Sequence, residues 1–236
     1  ISREAPFVFA IPAYVTGLLV YYAGKLCAKT IREHNLTGIR TVHLMPFGKG
    51  GRLFHWLQTN PGIPMTASYY ENCFKKAFGE GSENIRLNYR TDIVSDNKSE
   101  VSKGLVSNQN LVFDANIRYS SDIFAEKGIK YLNNGQFDIL DENDVVRNDY
   151  FENVGQFEFP DKMENFETFL ELFIDFVSQK AGLVTDVATL RNRKNELPSL
   201  LSSFITNDSE YDKARKVKQQ TGQFEYRFPI FIAEGL

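Results

Sequence analysis

The chain has 236 residues, of which 42% are hydrophobic and 24% charged, a balance typical of a folded globular protein. Its 16 Gly and 8 Pro are too few for a collagen-like or low-complexity chain, and its apolar content excludes a wholly disordered one. The net charge of −3 gives no electrostatic reason to expect a nucleic acid or an anionic membrane as partner.

Cysteine and histidine usage indicates the compartment and argues against a metal site. Cys27 and Cys73 are too few for a disulfide framework, and we expect two buried thiols in a reducing, cytoplasmic environment. These cysteines and the three histidines show no paired ligand spacing, so no metal site is expected. The start, Ile1-Ser-Arg, has no initiator Met, and we interpret the chain as a piece of a longer protein.

The first element is an apolar run that begins near Phe7 and reaches Leu26. Its prolines, glycines and tyrosines favour a buried core helix over residues 11–33 rather than a membrane span. Pro12 is expected in the first turn, and Gly38 is expected to close the helix in a left-handed conformation.

The following elements alternate between strand and helix. Strands are predicted at residues 39–45 and 85–89, and helices at 52–59, 68–78 and 98–106. This alternation predicts an α/β layer around a largely parallel sheet, flanked by helices. The neighbouring strands should carry Val42, Leu44, Leu87 and Tyr89.

Residues 107–236 differ from the first part in composition and pattern, and they are predicted to form an α+β extension. Asn133-Asn-Gly135 is a strong hairpin signal, and residues 163–180 have the pattern of an amphipathic helix with a core stripe of phenylalanines. Further helices are predicted at residues 185–205, with a break at Pro198, and at 209–220. We therefore divide the chain into residues 1–106 and 107–236.

One segment stands out chemically: Gly48-Lys49-Gly50-Gly51-Arg52-Leu53, between a predicted strand and a predicted helix. Glycines there allow positive φ and close approach to a ligand, and a helix N-terminus favours phosphate. The same pattern also suits a plain tight strand–helix connection. It is neither a P-loop nor a dinucleotide-binding fingerprint.

This segment resembles the adenosine motif of the actin-like ATPases, the superfamily of actin, DnaK-type heat-shock chaperones and FtsA. A second segment, Asp96 to Leu105, resembles the later stretch of that family that leads into its last helix. The resemblance implies a partial actin-like, ribonuclease H-like layer over about residues 11–106. It also implies that Gly48, Lys49, Gly50 and Gly51 line the adenosine of ATP, with Arg52 near the base, Leu53 beneath it and Lys98 beside it.

The family's Asp-x-Gly-[Ser/Thr] segment, which holds Mg²⁺ and phosphates, does not occur in this sequence. We therefore expect ATP with Mg²⁺ to be bound by the parent protein, and this chain alone to be inactive in hydrolysis. The alternative is a non-catalytic module on a degenerate actin-like scaffold. In that case residues 107–236 would bind a protein partner or drive self-assembly.

Overall fold

A computed structural model describes residues 7–46, 48–59, 66–89, 123–124, 128, 130–133, 136–139, 145–146, 157–158, 160, 163–182, 186–193, 196, 199–200, 216 and 219–221. The chain divides into two compact units. The first comprises Ile1–Tyr119 and Leu172–Thr185, and the second comprises Ser120–Glu171 and Asp186–Leu236. The described part combines many helical residues with a small parallel sheet, so the fold is broadly α/β.

Helix α1 spans Phe7–Glu33 and begins four residues before its predicted start. Phe9 is buried, and its ring stacks on Trp56 with centroids 5.2 Å apart, which stabilises the extra turn. Pro12 therefore lies inside the helix and not in its first turn, so the prediction for Pro12 is wrong. Because proline has no N–H, the carbonyl of Val8 lacks its usual donor four residues on.

The end of α1 is capped by Asn35, not by Gly38 as predicted. The Leu36 N–H donates to the Ile31 carbonyl at 2.9 Å, and the Asn35 N–H donates to the Arg32 carbonyl at 3.2 Å. Asn35 has φ +49°, so the end of the helix is a Schellman motif with Asn in the left-handed position. Gly38 does have a positive φ of 75°, but it lies in the connection beyond the cap.

The parallel sheet predicted from the sequence is present. Strand β1 spans Thr41–Leu44, strand β2 spans Arg86–Tyr89, and they pair in parallel with Val42 opposite Leu87 and Leu44 opposite Tyr89. Two helices connect them, α2 over Gly48–Thr59 and α3 over Thr66–Phe78. Gly79 and Gly81 follow α3 with positive φ, as expected for residues that end a helix.

Small residues let α1 and α3 approach each other closely. A Cβ added at Gly17 would lie 2.0 Å from the Tyr69 hydroxyl oxygen, and one at Gly24 would lie 2.6 Å from the Phe74 carbonyl oxygen. The core of the first unit forms around this contact, and its fully buried large side chains include Val20, Leu57, Tyr70 and Phe74. Burial of these side chains is the main stabilising contribution here.

Helix α1 is long and apolar enough to cross a membrane by length and composition alone. Over an 18-residue window of Val8–Glu33 the mean hydropathy reaches 1.2, and 39% of that window is buried. Core helices and signal sequences have the same properties. The face of α1 that packs on α3 is that of a core helix.

Helix α4 spans Glu164–Asp175 and continues as a π-helical turn over Phe176–Lys180. From Leu172 onward this segment belongs to the first unit, where the Phe176 ring stacks on Tyr69 at 4.3 Å and the Phe173 ring meets Tyr14 edge-on at 5.2 Å. The predicted stripe of phenylalanines is confirmed as core, since Phe166, Phe169 and Phe176 are buried and Phe173 is half-buried.

The described residues of the second unit include short antiparallel strands and a helix at Val187–Arg193, α5. The predicted hairpin is confirmed, with Asn133 opposite Gln136. Helix α5 is capped by Asp186, which accepts from the Thr189 N–H at 3.1 Å and from its hydroxyl at 2.7 Å. The elements are β3 Ile123–Phe124, β4 Lys130–Asn133, β5 Gln136–Ile139, β6 Val145–Val146, β7 Phe157–Glu158 and α5 Val187–Arg193. Strand β3 pairs with β6, and β4 lies between β5 and β7.

Candidate functional site

The glycine-rich segment lies directly beyond the carboxyl end of strand β1. Helix α2 begins at Gly48, four residues after Leu44, the last residue of β1. Because β1 and β2 are parallel, Leu44 and Tyr89 bring the carboxyl ends of both strands to the same edge of the sheet. In open α/β sheets this edge is where ligands bind.

Six of the seven predicted site residues lie together at the start of α2. They are Gly48, Lys49, Gly50, Gly51, Arg52 and Leu53. The seventh, Lys98, lies outside the described residues, as does the predicted helix over residues 98–106. The Arg52 side chain is exposed and Leu53 is half-buried.

The glycines form a helical turn and not the loop predicted from the sequence. Gly48 to Gly51 are the first four residues of α2, so their φ angles lie in the helical region and positive φ is not needed. The first four N–H groups of a helix have no acceptor within the helix, and its N-terminal end carries a partial positive charge. The first turn of a helix favours an anionic ligand, as the sequence pattern also predicted for this segment.

Gly51 has a structural reason to be glycine that involves no ligand. It is buried, and a Cβ added there would lie 2.5 Å from the Pro46 carbonyl oxygen. Real Cβ atoms essentially never approach so closely. The absence of a side chain at Gly51 therefore allows the connection from β1 to pack on the first turn of α2.

The inner face of α2 is fixed to the core. Leu57 is fully buried, and the buried Phe54 ring lies 5.4 Å from the Tyr70 ring of α3. Trp56, on the same helix, is partly exposed and stacks on Phe9. These contacts orient the first turn of α2 relative to the sheet.

Tyr89, at the carboxyl end of β2, was predicted from the sequence as a strand residue but not as part of a site. Its hydroxyl oxygen is buried and has no hydrogen-bond partner in the described part of the chain. Burial, together with Tyr70, Cys73 and Glu71 nearby, raises the pKa of Tyr89 well above its usual value. No sequence signal could have revealed this, because a tyrosine that ends a strand has the pattern of an ordinary core residue.

Other residues considered from the sequence do not assemble into a chemical site. His43 on β1 and His55 on α2 are both exposed. Among the residues that the structure describes, no three His, Cys, Asp or Glu side chains are grouped so that they would hold a metal ion. No protein-family model, curated protein or solved structure matches this chain.

Proposed function

We propose that this chain supplies the adenosine-binding side of a nucleotide site, in a protein similar to the actin-like ATPases. The observation that carries the proposal is the position of the glycine turn. It follows a parallel strand and opens a helix at the carboxyl edge of the sheet. Because glycine has no Cβ, the backbone of this turn can lie against a base and ribose, and its first N–H groups have no acceptor within the helix.

The residues have different roles in this proposal. The backbone of Gly48, Lys49 and Gly50 lines the adenosine, and Arg52 lies near the base. Leu53, half-buried, gives an apolar surface beneath the base. Gly51 maintains the turn by its packing on Pro46.

ATP with Mg²⁺ is the proposed ligand of the whole protein. The sequence has no Asp-x-Gly-[Ser/Thr] segment to hold the metal and the phosphates. We therefore expect this chain to bind the nucleoside part and not to hydrolyse ATP, because in-line attack on the γ-phosphate needs stabilisation of its charge.

Competition binding tests the proposal. A fluorescent ATP analogue is titrated with the purified chain and then displaced by ATP, adenosine, GTP or inorganic phosphate. Because this chain would contact mainly base and ribose, adenosine should compete within about tenfold of ATP, and phosphate should not compete. Failure of both ATP and adenosine to bind at millimolar concentration would contradict the proposal.

A further inference from the structure

Helix α1 exposes an apolar stripe on the side opposite its contact with α3. Five large apolar side chains on this side are between 40% and 61% exposed. They are Val8, Ile11, Val15, Leu19 and Leu26; with the half-exposed Pro12 and Tyr22 they form what we call the α1 stripe. Singly exposed apolar residues are common, but a continuous row along one helix marks an interaction surface.

The spacing within the stripe fits another helix. Val8, Pro12, Val15, Leu19, Tyr22 and Leu26 are separated alternately by four and three residues. An average spacing of 3.5 residues is the signature of a seam between two helices. A helix lying in a lipid surface instead carries Lys and Arg along its polar face, and residues 7–24 contain no charged residue.

The stripe is also complementary to itself when reversed. Around Gly17 as the midpoint, Val8 corresponds to Leu26, Pro12 to Tyr22, and Val15 to Leu19. Each of these pairs joins one larger and one smaller side chain, so two antiparallel copies would interdigitate. The same patch would serve on both copies, as a two-fold dimer requires.

The charges favour the antiparallel orientation. Lys25, Lys29 and Arg32 all lie near the C-terminal end of α1. Glu33, the only acidic residue of the helix, pairs with Lys29 at 3.5 Å, so this end keeps a net positive charge. Parallel helices would set these basic ends side by side, at a cost from like-charge repulsion. Antiparallel helices place them at opposite ends of the pair.

An apolar groove lies where the stripe ends. It is open, has a volume of about 340 Å³, and runs between the end of α1 and strand β1. Its apolar lining includes Leu26, Ile31, Ile39 and Val42. In the antiparallel register the partner's Val8 lies beside Leu26, so the start of the partner helix reaches the groove at each end of the seam.

We propose that the α1 stripe is the interface of an antiparallel dimer of this chain. The inference does not depend on nucleotide binding. The seam is about 27 Å long and about one helix wide, so it buries less than the roughly 800 Å² per partner of a stable interface. A weak dimer is therefore expected, with a dissociation constant of about 10 to 500 μM.

Sedimentation velocity at about 5 to 1,000 μM tests this, since these concentrations extend below and above the expected dissociation constant. The wild-type chain should shift from monomer to dimer, and Leu19→Glu should stay monomeric, since a charge at an already exposed site opposes association and not folding. Ile139→Glu is the matched control, because Ile139 is 65% exposed on β5 and lies off the stripe. It should dimerise as the wild type does.

Disulfide trapping tests the register. Val15→Cys and Leu19→Cys are made separately in a Cys27→Ala background, whose own dimerisation is checked first; Cys73 is fully buried. A mixture of the Val15→Cys and Leu19→Cys variants should form disulfide-linked dimers, and each variant alone should form much less of them. Preferential linkage of Val15→Cys to itself would indicate parallel helices and overturn the proposal.

Two further outcomes would also overturn it. One is a wild-type chain that stays monomeric over the whole concentration range. The other is a monomeric wild-type chain that floats with phosphatidylcholine–phosphatidylglycerol vesicles while Leu19→Glu does not, since the stripe would then contact lipid.

Discussion

The hydroxyl oxygens of Thr16 on α1 and Tyr70 on α3 lie 2.7 Å apart inside the protein. Thr16 also donates to the Pro12 carbonyl at 2.7 Å, so its single proton is used and Tyr70 is the donor to Thr16. This buried bond joins the two helices. It also gives Tyr70 a hydrogen-bond partner that Tyr89, whose ring lies 5.7 Å away, lacks in the described part of the chain.

We predict opposite effects for the same substitution at these two tyrosines. Tyr70→Phe removes a buried hydrogen bond and should lower the free energy of unfolding by about 1 kcal/mol. Tyr89→Phe removes a buried hydroxyl without a described partner and should leave the free energy of unfolding unchanged or raise it. Urea unfolding of both variants measures the difference. A loss for Tyr89→Phe equal to that for Tyr70→Phe would show that the Tyr89 hydroxyl is bonded.

Alanine at Gly17 or Gly24 should destabilise the protein, although alanine normally stabilises a helix by about 1 kcal/mol over glycine. At Gly17 the added methyl would displace Tyr69, which stacks on Phe176 and donates to the Ala13 carbonyl at 3.3 Å. At Gly24 it meets the Phe74 backbone. We expect a loss of about 1–3 kcal/mol in each case, measured by thermal or urea unfolding.

A second background separates the two glycine sites. With Tyr69→Leu, the nearest atoms to Gly17 are removed, so the Gly17→Ala penalty should shrink. The Gly24→Ala penalty should persist, because the added methyl meets the Phe74 backbone carbonyl, which a side-chain substitution does not remove. Equal penalties in both backgrounds would argue against the close contact at Gly17.

The two thiols should differ strongly in reactivity. Cys73 is fully buried, and burial raises its thiol pKa to about 12. Cys27 is half-buried, and burial raises its thiol pKa to a smaller degree. Since only the thiolate reacts, raised pKa values mean that reactivity is low near neutral pH and increases as the pH rises.

Reaction with a chromogenic disulfide reagent at pH 8 should therefore modify Cys27 slowly, and Cys73 only after unfolding. Cys27→Ala should abolish the reaction of the folded protein, and Cys73→Ala should leave its rate nearly unchanged. Rapid modification of both thiols in the folded wild-type chain would contradict the burial of Cys73.

The pairing of β1 with β2 was predictable because local signals agree with the tertiary structure. β-branched and apolar runs at residues 39–45 and 85–89 flank two helical patterns, and a connection of that kind suits parallel strands. The start of α2 was not predictable, because glycine has low helix propensity. Packing of Gly51 on Pro46 outweighs that propensity.

The length of helix α1 also has a tertiary cause. The helix extends to Phe7 since Phe9 stacks on Trp56, a contact between residues far apart in sequence. Residues 172–185 belong to the first unit, where Phe176 stacks on Tyr69, and no signal in the sequence indicates this long-range contact. At the candidate site, the cluster of glycines is visible in the sequence, but its helical conformation and the environment of Tyr89, which depends on α3, were not predictable.

Gly50→Asp is the variant that best tests the nucleotide proposal. Gly50 lies in the first turn of a helix, where aspartate needs no unusual φ and is favoured by the helix dipole, so folding should be nearly unaffected. If Gly50 contacts adenosine, the added carboxylate fills the space of the ribose or base and repels phosphate. The affinity for ATP should then fall more than tenfold, which is about 1.4 kcal/mol or more.

Gly51→Ala is the matched comparison for Gly50→Asp. Its methyl would clash with the Pro46 carbonyl, so the thermal midpoint should drop whether or not nucleotide binds. ATP affinity and thermal midpoint are measured on the same samples of both variants. Unchanged ATP affinity of folded Gly50→Asp would remove Gly48 to Leu53 as a nucleotide site, because a carboxylate in the proposed space of the ribose or base would then have no effect.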